Sequence, residues 1–304
     1  MSLNEFSLIQ KYFSSSGESK GVTLGVGDDC AILDIPEGKQ LVATVDTLVE
    51  GVHFPVSASP ADIAHRSLRV NLSDIAAMGA DPHWFTLALT LPKVSESWLC
   101  DFSQALLSDA LYFGCSLVGG DTTAGPLSIT MQVLGTIPIG SGLTRGGCHE
   151  GDSIYVTGSL GEGAAALALL DASVSIESED IRSRLLQRFY RPEPRLKEGA
   201  CLRNVASAAI DISDGLSSEI MHLCKGSSLG CTIYEDKIPM DPQMMRLAEE
   251  FGINPITAVL NGGEDYELLF TISIEDYDKI KHNPSLTAIG HITEDKPIQL
   301  VTKA

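Results

Sequence analysis

Carboxylates beside small residues recur at the ends of apolar runs in this chain: Gly27-Asp28-Asp29-Cys30, Asn71-Leu72-Ser73-Asp74, Gly119-Gly120-Asp121-Thr122-Thr123 and Asp211-Ile212-Ser213-Asp214-Gly215. A further one, Asp46, lies inside the apolar stretch Leu41 to Phe54, LVATVDTLVEGVHF. An ionised carboxylate in an apolar strand is costly unless something compensates it, and the stretch holds no Lys or Arg. A distant Arg, a metal ion or an edge position open to water would each serve. A metal predicts that other carboxylates converge here. Five acidic segments scattered over two hundred positions are expected to form a single polyaspartate site on folding. Without divalent cations such a site would repel itself strongly, even at an effective dielectric of about 20.

The motif segments contain no Lys, and GxxxxGK[ST] occurs nowhere in the chain. If the ligand is a nucleoside triphosphate, Mg²⁺ must do the neutralising that a P-loop Lys does elsewhere. Arg145 is the one basic residue at a motif-like Gly-rich loop. It is a candidate for a direct phosphate contact, or a structural Arg at a domain junction.

These segments need elements to hold them. Leu41 to Phe54 reads as a strand, rich in apolar and β-branched residues. A first helix is expected over Glu5 to Phe13, then a Ser/Gly-rich loop and a strand at Gly25-Val26-Gly27, where the glycines suit a plain turn or a phosphate loop. Ser59 can cap a helix that Pro60 and Asp62 favour and Gly79 ends, with Asn71 and Asp74 on one face. A strand over Trp84 to Leu91 and a helix over Ser97 to Phe113 follow. The next strand, Ser116 to Val118, is expected to stop at Gly119-Gly120-Asp121, a geometry suited to a hydrated Mg²⁺ and a phosphate or to a simple loop cap. Ser128 to Pro138 is a further strand.

The pattern breaks around Arg145 to Asp152, which divides the chain into domains 1–148 and 149–304. After a strand at Ser153 to Thr157, the glycines of 158–163 suit close packing better than a nucleotide loop, since Glu162 would face the phosphates. Helices flank Arg191-Pro192-Glu193-Pro194-Arg195. A short buried strand, Ala208 to Ile212, leads into a helix that Ser213 or Asp214 could cap, or whose free N–H groups could hold an anion beside Asp211 and Asp214. Asn261 to Glu267 reads as a hairpin turn into the strand Leu268 to Ile272. A helix over Glu275 to Lys281 and two short strands complete the chain.

Composition bounds the function. With 304 residues, two domains are the better prior. Lys and Arg total 21 against 40 Asp and Glu, a net charge of −19. That field argues against nucleic acid and anionic membranes as partners. Seven cysteines without a CxxC or Cys/His pattern fit a reduced, cytoplasmic compartment. The N-terminus lacks the features of a signal peptide, and no apolar run approaches the roughly 20 residues that cross a bilayer.

Taken jointly, GDDCA at 27–31, VDTLVEGVHF at 45–54, NLSDIAAMGA at 71–80, GGDTT at 119–123, DISDGL at 211–216 and GGEDYEL at 262–268 resemble the thiamine-monophosphate kinase family. Looser forms occur in the wider group with aminoimidazole ribonucleotide synthetase and selenophosphate synthetase. The resemblance implies an α+β fold of two α/β domains like those of aminoimidazole ribonucleotide synthetase. The first would bind ATP and Mg²⁺ and pair into a homodimer, and the second would complete the active-site cleft. It implies ATP-dependent phosphorylation of thiamine monophosphate to thiamine diphosphate. Carried over residue by residue, Asp29, Thr44, Asp46, Asp74, Asp121, Asp211 and Asp214 would coordinate several Mg²⁺ ions, with Asp46, Asp74 and Asp211 central to catalysis. Gly120, Asp121, Arg145 and Ser213 would hold ATP, and His53 and Glu264 would contact thiamine monophosphate.

The chain departs from the family in two places. Val45 stands where relatives often carry Thr or Ser, leaving only its backbone carbonyl for a metal. The chain ends QLVTKA, without the aromatic-bearing segment relatives place near the thiamine ring. The competing readings are a related ATP-dependent enzyme acting on another small phosphorylated substrate, and a non-catalytic Mg²⁺ or nucleotide sensor.

Overall fold

Period-two alternation over 39–49 produces strand β3 (Lys39–Val49), whose Val42, Thr44, Asp46 and Leu48 are more covered than Leu41, Val45 and Thr47 between them. The structure is a computed structural model that describes residues 5–13, 20–250, 252–295 and 297–302. The chain divides into one unit of Met1–Ile75 with Ala80–Gly140 and another of Ala76–Gly79 with Ser141–Ala304. The Ser/Gly-rich loop expected after the first helix falls on 14–19, outside the described residues. So do the last two residues of QLVTKA.

In the first unit, β3, β4 (Asp81–Leu91), β5 (Ser116–Ala124) and β6 (Ser128–Pro138) form a sheet in the order β3-β6-β4-β5. Only β4 and β5 run parallel. Strands β1 (Val22–Leu24) and β2 (Ile32–Leu33) make a separate antiparallel pair. Helices α1 (Glu5–Tyr12), α2 (Pro60–Ala77) and α3 (Glu96–Phe113) supply the helical layer. Ser59 caps α2 as expected, accepting the Asp62 N–H at 3.1 Å while its hydroxyl donates to the Asp62 carboxylate at 2.7 Å. Gly79, at φ +68, ends the turn that follows.

Two expectations change in this unit. The strand at 41–54 stops at Val49, and a turn through 51–53 follows, because Val52 and His53 N–H groups bond back to the Val49 carbonyl. Strand β5 runs on through Gly119-Gly120-Asp121 to Ala124, pairing residue by residue with Thr86–Leu91. The glycines let it do so. A Cβ at Gly120 would collide with the Leu87 backbone.

The second unit holds a six-stranded sheet ordered β12-β9-β11-β7-β10-β8. Its strands are β7 (Ser153–Thr157), β8 (Ala206–Asp211), β9 (Gly230–Tyr234), β10 (Leu268–Ile272), β11 (Leu286–Thr293) and β12 (Ile298–Val301). β7, β8 and β10 supply near-continuous buried residues, among them Ile154, Val156, Ile210, Leu269 and Phe270. The helices are α4 (Glu162–Leu170), α5 (Glu179–Tyr190), α6 (Leu196–Leu202), α7 (Leu216–Ser227), α8 (Pro242–Glu250) and α9 (Pro255–Asn261).

The sequence pattern missed α8 and α9. In consequence the expected hairpin at 261–267 is instead a link from α9 into β10. The segment at 275–281 is a 3₁₀ helix over Ile274–Lys279. Neither Ser213 nor Asp214 caps α7. Gly215 occupies the cap at φ +116, with no side-chain cap bond. No helix among the described residues is long and apolar enough to cross a membrane.

Candidate active site

Helix α2 lies against β3 through polar bonds. Asn71, fully buried, donates from Nδ2 to the Ser67 carbonyl at 2.9 Å, and its Oδ1 accepts the Asp46 N–H at 3.1 Å. The Thr44 hydroxyl donates to the Asp74 carboxylate at 2.6 Å. The three-residue spacing of Asn71 and Asp74 on α2 and the two-residue spacing of Thr44 and Asp46 on β3 thus meet as a matched set. Burial, and after it the charge of Asp74, push the Asp46 carboxyl up to about 6. Hard oxygen donors held close to one another, one of them destabilised by the other's charge, fit a divalent cation.

Asp121 lies elsewhere on the same sheet. Asp46 pairs with Met131, which pairs with Leu87 and so with Gly120, while Asp121 occupies the next row with Ala88 and Thr130. Three strand spacings, about 14 Å, separate β3 from β5. Asp121 instead shares a cavity of about 320 Å³ with Asp28, Asp29, Gly119 and Gly120, walled by Ile9, Phe13, Leu87 and Leu117. It has a carboxylate-lined part and an apolar part. The single convergent site expected from sequence is therefore two groups within this unit: Thr44, Asp46 and Asp74 in one, Asp29, Gly120 and Asp121 in the other. Within neither unit, among the described residues, do three His, Cys, Asp or Glu side chains gather into a metal-holding cluster. Carboxylates that repel one another keep such spacing unless a cation draws them in.

In the second unit the two remaining motifs interlock. The Ile212 N–H donates to the Glu267 carbonyl, Tyr266 N–H to the Ile212 carbonyl and Glu264 N–H to the Ser213 carbonyl, each at 2.8 Å. Gly263 lies so close to Ser213 that a Cβ would strike its carbonyl. Glu264 and Tyr266 are left-handed, at φ +64 and +52, a strained conformation for residues with side chains. Asp211 is buried at the end of β8, Ser213 is half-buried and Asp214 is exposed. Glu264 is half-buried beside them in the chain trace, its amide fixed by Ser213.

The other two acids of GGEDYEL serve the scaffold. Asp265 accepts the N–H groups of Gly161 and Gly163 at 2.9–3.1 Å. Burial nevertheless holds its carboxyl up at about 7. Glu267, with no exposed surface, meets Arg188, meets Arg195 at 2.5–2.6 Å and accepts the Thr157 hydroxyl at 2.5 Å. Gly158 packs on that carboxylate, as close packing of the 158–163 run requires.

Arg145, His53 and Val45 lie apart from these bonded sets. Arg145 is exposed on a loop anchored by the Ser227 hydroxyl, which accepts the Gly147 and Cys148 N–H groups, and its charge reaches Glu219. His53 lies in the turn after β3 rather than at a strand end, its Nδ1 accepting the Val49 N–H at 3.0 Å. The Val45 side chain is 58% exposed, on the row opposite to that of Asp46. Sequence reasoning passed over Glu219, a buried carboxylate whose Oε1 accepts the Asp214 N–H at 3.0 Å. The available signal was its position among Leu216, Ile220 and Leu223 on the apolar face of α7.

Residues 27–137 match the family described as AIR synthase related protein, N-terminal domain, and residues 149–303 match its C-terminal domain. The chain is 49% identical to a thiamine-monophosphate kinase of Salmonella typhimurium (strain LT2) over 90% of this chain and 83% of that protein. A crystal structure of thiamine-monophosphate kinase from Stenotrophomonas maltophilia K279a, 38% identical, superposes with a TM-score of 0.88 over 99% of this chain and 97% of that one. A structure of AaThiL complexed with AMPPCP and TMP, 31% identical, does so with a TM-score of 0.79 over 98% and 91%.

Proposed function

Because the chain belongs to the AIR synthase related proteins and, within them, to the thiamine-monophosphate kinases, we propose that it transfers the γ-phosphoryl group of ATP to thiamine monophosphate. The bond between the γ-phosphorus and its bridging oxygen breaks, an oxygen of the acceptor phosphate bonds that phosphorus, and thiamine diphosphate and ADP leave. The observation that carries the reading is the cavity in which two motifs some ninety positions apart, GDDCA and GGDTT, place Asp28, Asp29, Gly120 and Asp121 around one space.

The acceptor suits a site built this way. A phosphate monoester loses its second proton near pH 6, so most of it is a dianion at neutral pH and needs no strong general base. The protein's task is to place two anions in line. Asp29, Thr44, Asp46, Asp74, Asp121, Asp211 and Asp214, with the Val45 carbonyl, would hold Mg²⁺. Bound there, Mg²⁺ would screen the two reactants from each other and stabilise charge on the phosphoryl oxygens. Gly120 leaves bare backbone beside the Asp121 carboxylate, and with Asp121, Ser213 and Arg145 it holds ATP. His53 and Glu264 contact thiamine monophosphate.

The first domain, 1–148, carries the ATP and Mg²⁺ groups and pairs with a second copy. The open outer face of β3, with Leu41 46% and Val45 58% exposed, supports that pairing. The second domain, 149–304, contributes Asp211, Ser213, Asp214 and Glu264. A cytoplasmic setting is supported by the free state of all seven cysteines.

The test is incubation of the purified protein with ATP, Mg²⁺ and thiamine monophosphate, with separation of the thiamine esters. Stoichiometric thiamine diphosphate and ADP are expected. ATP consumption only with a different phosphorylated acceptor, or ATP binding without turnover, would replace this reading with another enzyme of the group or a nucleotide sensor.

A further inference from the structure

We propose that Glu219 is a positioning residue that holds Asp214, and with it the turn before α7, in the arrangement the reaction uses. The inference rests on the reading of Asp214 as a Mg²⁺ ligand.

The turn from β8 into α7 lacks the usual device for fixing a helix start. A Ser, Thr, Asp or Asn at the cap would normally accept an N–H of the first turn. Here the cap is Gly215, held at φ +116 and packed so tightly on Leu260 and Asn261 that a Cβ would meet both backbones. No side chain can reach out from that position. Asp214, one residue earlier, is exposed, and its carboxylate is free of any role in capping the helix.

Glu219 supplies the missing restraint from inside the helix. It lies in the first two turns of α7, is only 2% exposed, and turns its carboxylate back along the axis so that Oε1 accepts the Asp214 N–H at 3.0 Å. The position is electrostatically favourable, since the N-terminal end of a helix carries partial positive charge. Burial nevertheless pushes this carboxyl up, with the charge of Asp214 adding to it, while the accepted Asp214 N–H, His222 and Arg145 act the other way. Its neighbours on α7, Leu216, Ile220 and Leu223, are buried and apolar. An apolar residue would fill that place at less desolvation cost, so simple packing does not account for a carboxylate there. Holding the backbone of a ligand-bearing turn does.

The partner motif fixes the other side of the same turn, through the Ser213 carbonyl, which accepts the Glu264 N–H at 2.8 Å. Ser213 and Asp214 are therefore clamped from opposite sides, one by GGEDYEL and one by Glu219. Only the second clamp is a side chain.

Two substitutions separate positioning from other roles. Glu219→Met keeps the volume and removes the acceptor, and Glu219→Gln keeps an oxygen able to accept the Asp214 N–H. In the metal-free protein, amide exchange over 211–217 should accelerate in E219M and stay near wild type in E219Q. The Mg²⁺ concentration for half-maximal activity should rise about tenfold in E219M and remain within about threefold in E219Q, as for removal of a group behind a metal ligand. At saturating Mg²⁺ the kcat of E219M should recover.

Unchanged exchange in E219M overturns the proposal. Equal loss in E219Q and E219M also overturns it, because it makes the carboxylate charge itself the functional group. Asp214→Asn identifies a failure of the underlying reading. If D214N leaves the Mg²⁺ requirement unchanged while E219M still accelerates exchange, positioning of Asp214 stands and its role as a metal ligand falls.

Discussion

Asp46 in the first unit and Glu267 in the second are both carboxylates on or beside a strand in an acidic motif, and their surroundings differ in kind. Glu267 is wholly buried, yet two arginines and a hydroxyl complete its bonding. Asp46 is only partly buried, yet the charged group acting on it is another carboxylate, Asp74, and its carboxyl is pushed up to about 6. Depth of burial thus does not tell which acid is matched by opposite charge. Glu267 is matched by opposite charge within its own unit, whereas the charge acting on Asp46 has the same sign, so a cation bound beside Asp46 would stabilise it. Asp265 stands between them, held by two backbone N–H groups but raised to about 7 by burial.

The largest test breaks the completed network. Glu267→Ala leaves Arg188 and Arg195 without their buried partner and should cost about 3–5 kcal/mol in denaturant unfolding, or prevent folding. A loss below about 1 kcal/mol, the worth of an exposed ion pair, would mean the network is solvated.

Asp46→Asn tests the like-charged pair in the opposite direction. Activity should fall about 100-fold, roughly 2.7 kcal/mol of barrier, as charge at the proposed metal site is lost. Stability in EDTA should instead rise by about 1 kcal/mol, discounted for the solvent screening of a partly exposed group. The sign follows from linkage. The folded-state value, about 6, exceeds the ordinary 3.8, so the folded form binds more protons between those limits and stability declines as pH rises through them. Asn removes that decline. Addition of Mg²⁺ to the wild type at pH 7 should oppose it, and an Mg²⁺-independent melting temperature would argue against a cation at Asp46.

Asp265 sharpens the contrast. Its carboxyl also lies above the ordinary 3.8, at about 7, so its contribution to stability likewise declines as pH rises between those values. Asp265→Asn should flatten the stability curve over that window. Unlike the Asp46 effect, this one should be the same with and without Mg²⁺.

The smallest effect is expected at Glu264. Glu264→Gly relieves a left-handed backbone and should add roughly 1 kcal/mol of stability. Removal of the side chain should raise KM for thiamine monophosphate severalfold. A lower stability would show that the side chain, rather than the backbone, governs that turn.

Most elements were readable from local pattern. The Ser59-Pro60-Asp62 start of α2, the whole of β6 and the Asn71/Asp74 spacing follow from capping preference and periodicity, which act within a few residues. The misreadings have separate causes. β5 continues through Gly119 and Gly120 because β4 pairs with it, and the expected hairpin at 261–267 is a helix-to-strand link because the short helix α9, only 7 residues long, precedes it. Glu219 was legible only as a charge on an apolar helix face. Its bond to Asp214 requires the turn that Gly215 makes.

What the chain's own residues determine is the set of motifs, the acidic surplus and the family, because these depend on residue identity and spacing alone. Which carboxylates face an opposite charge and which a like one was decided only in three dimensions. The arginines that complete Glu267 stand 72 and 79 positions away, and the aspartate that opposes Asp46 comes from a different element, α2. Charge compensation acts across space at a few ångströms, and no local pattern encodes it.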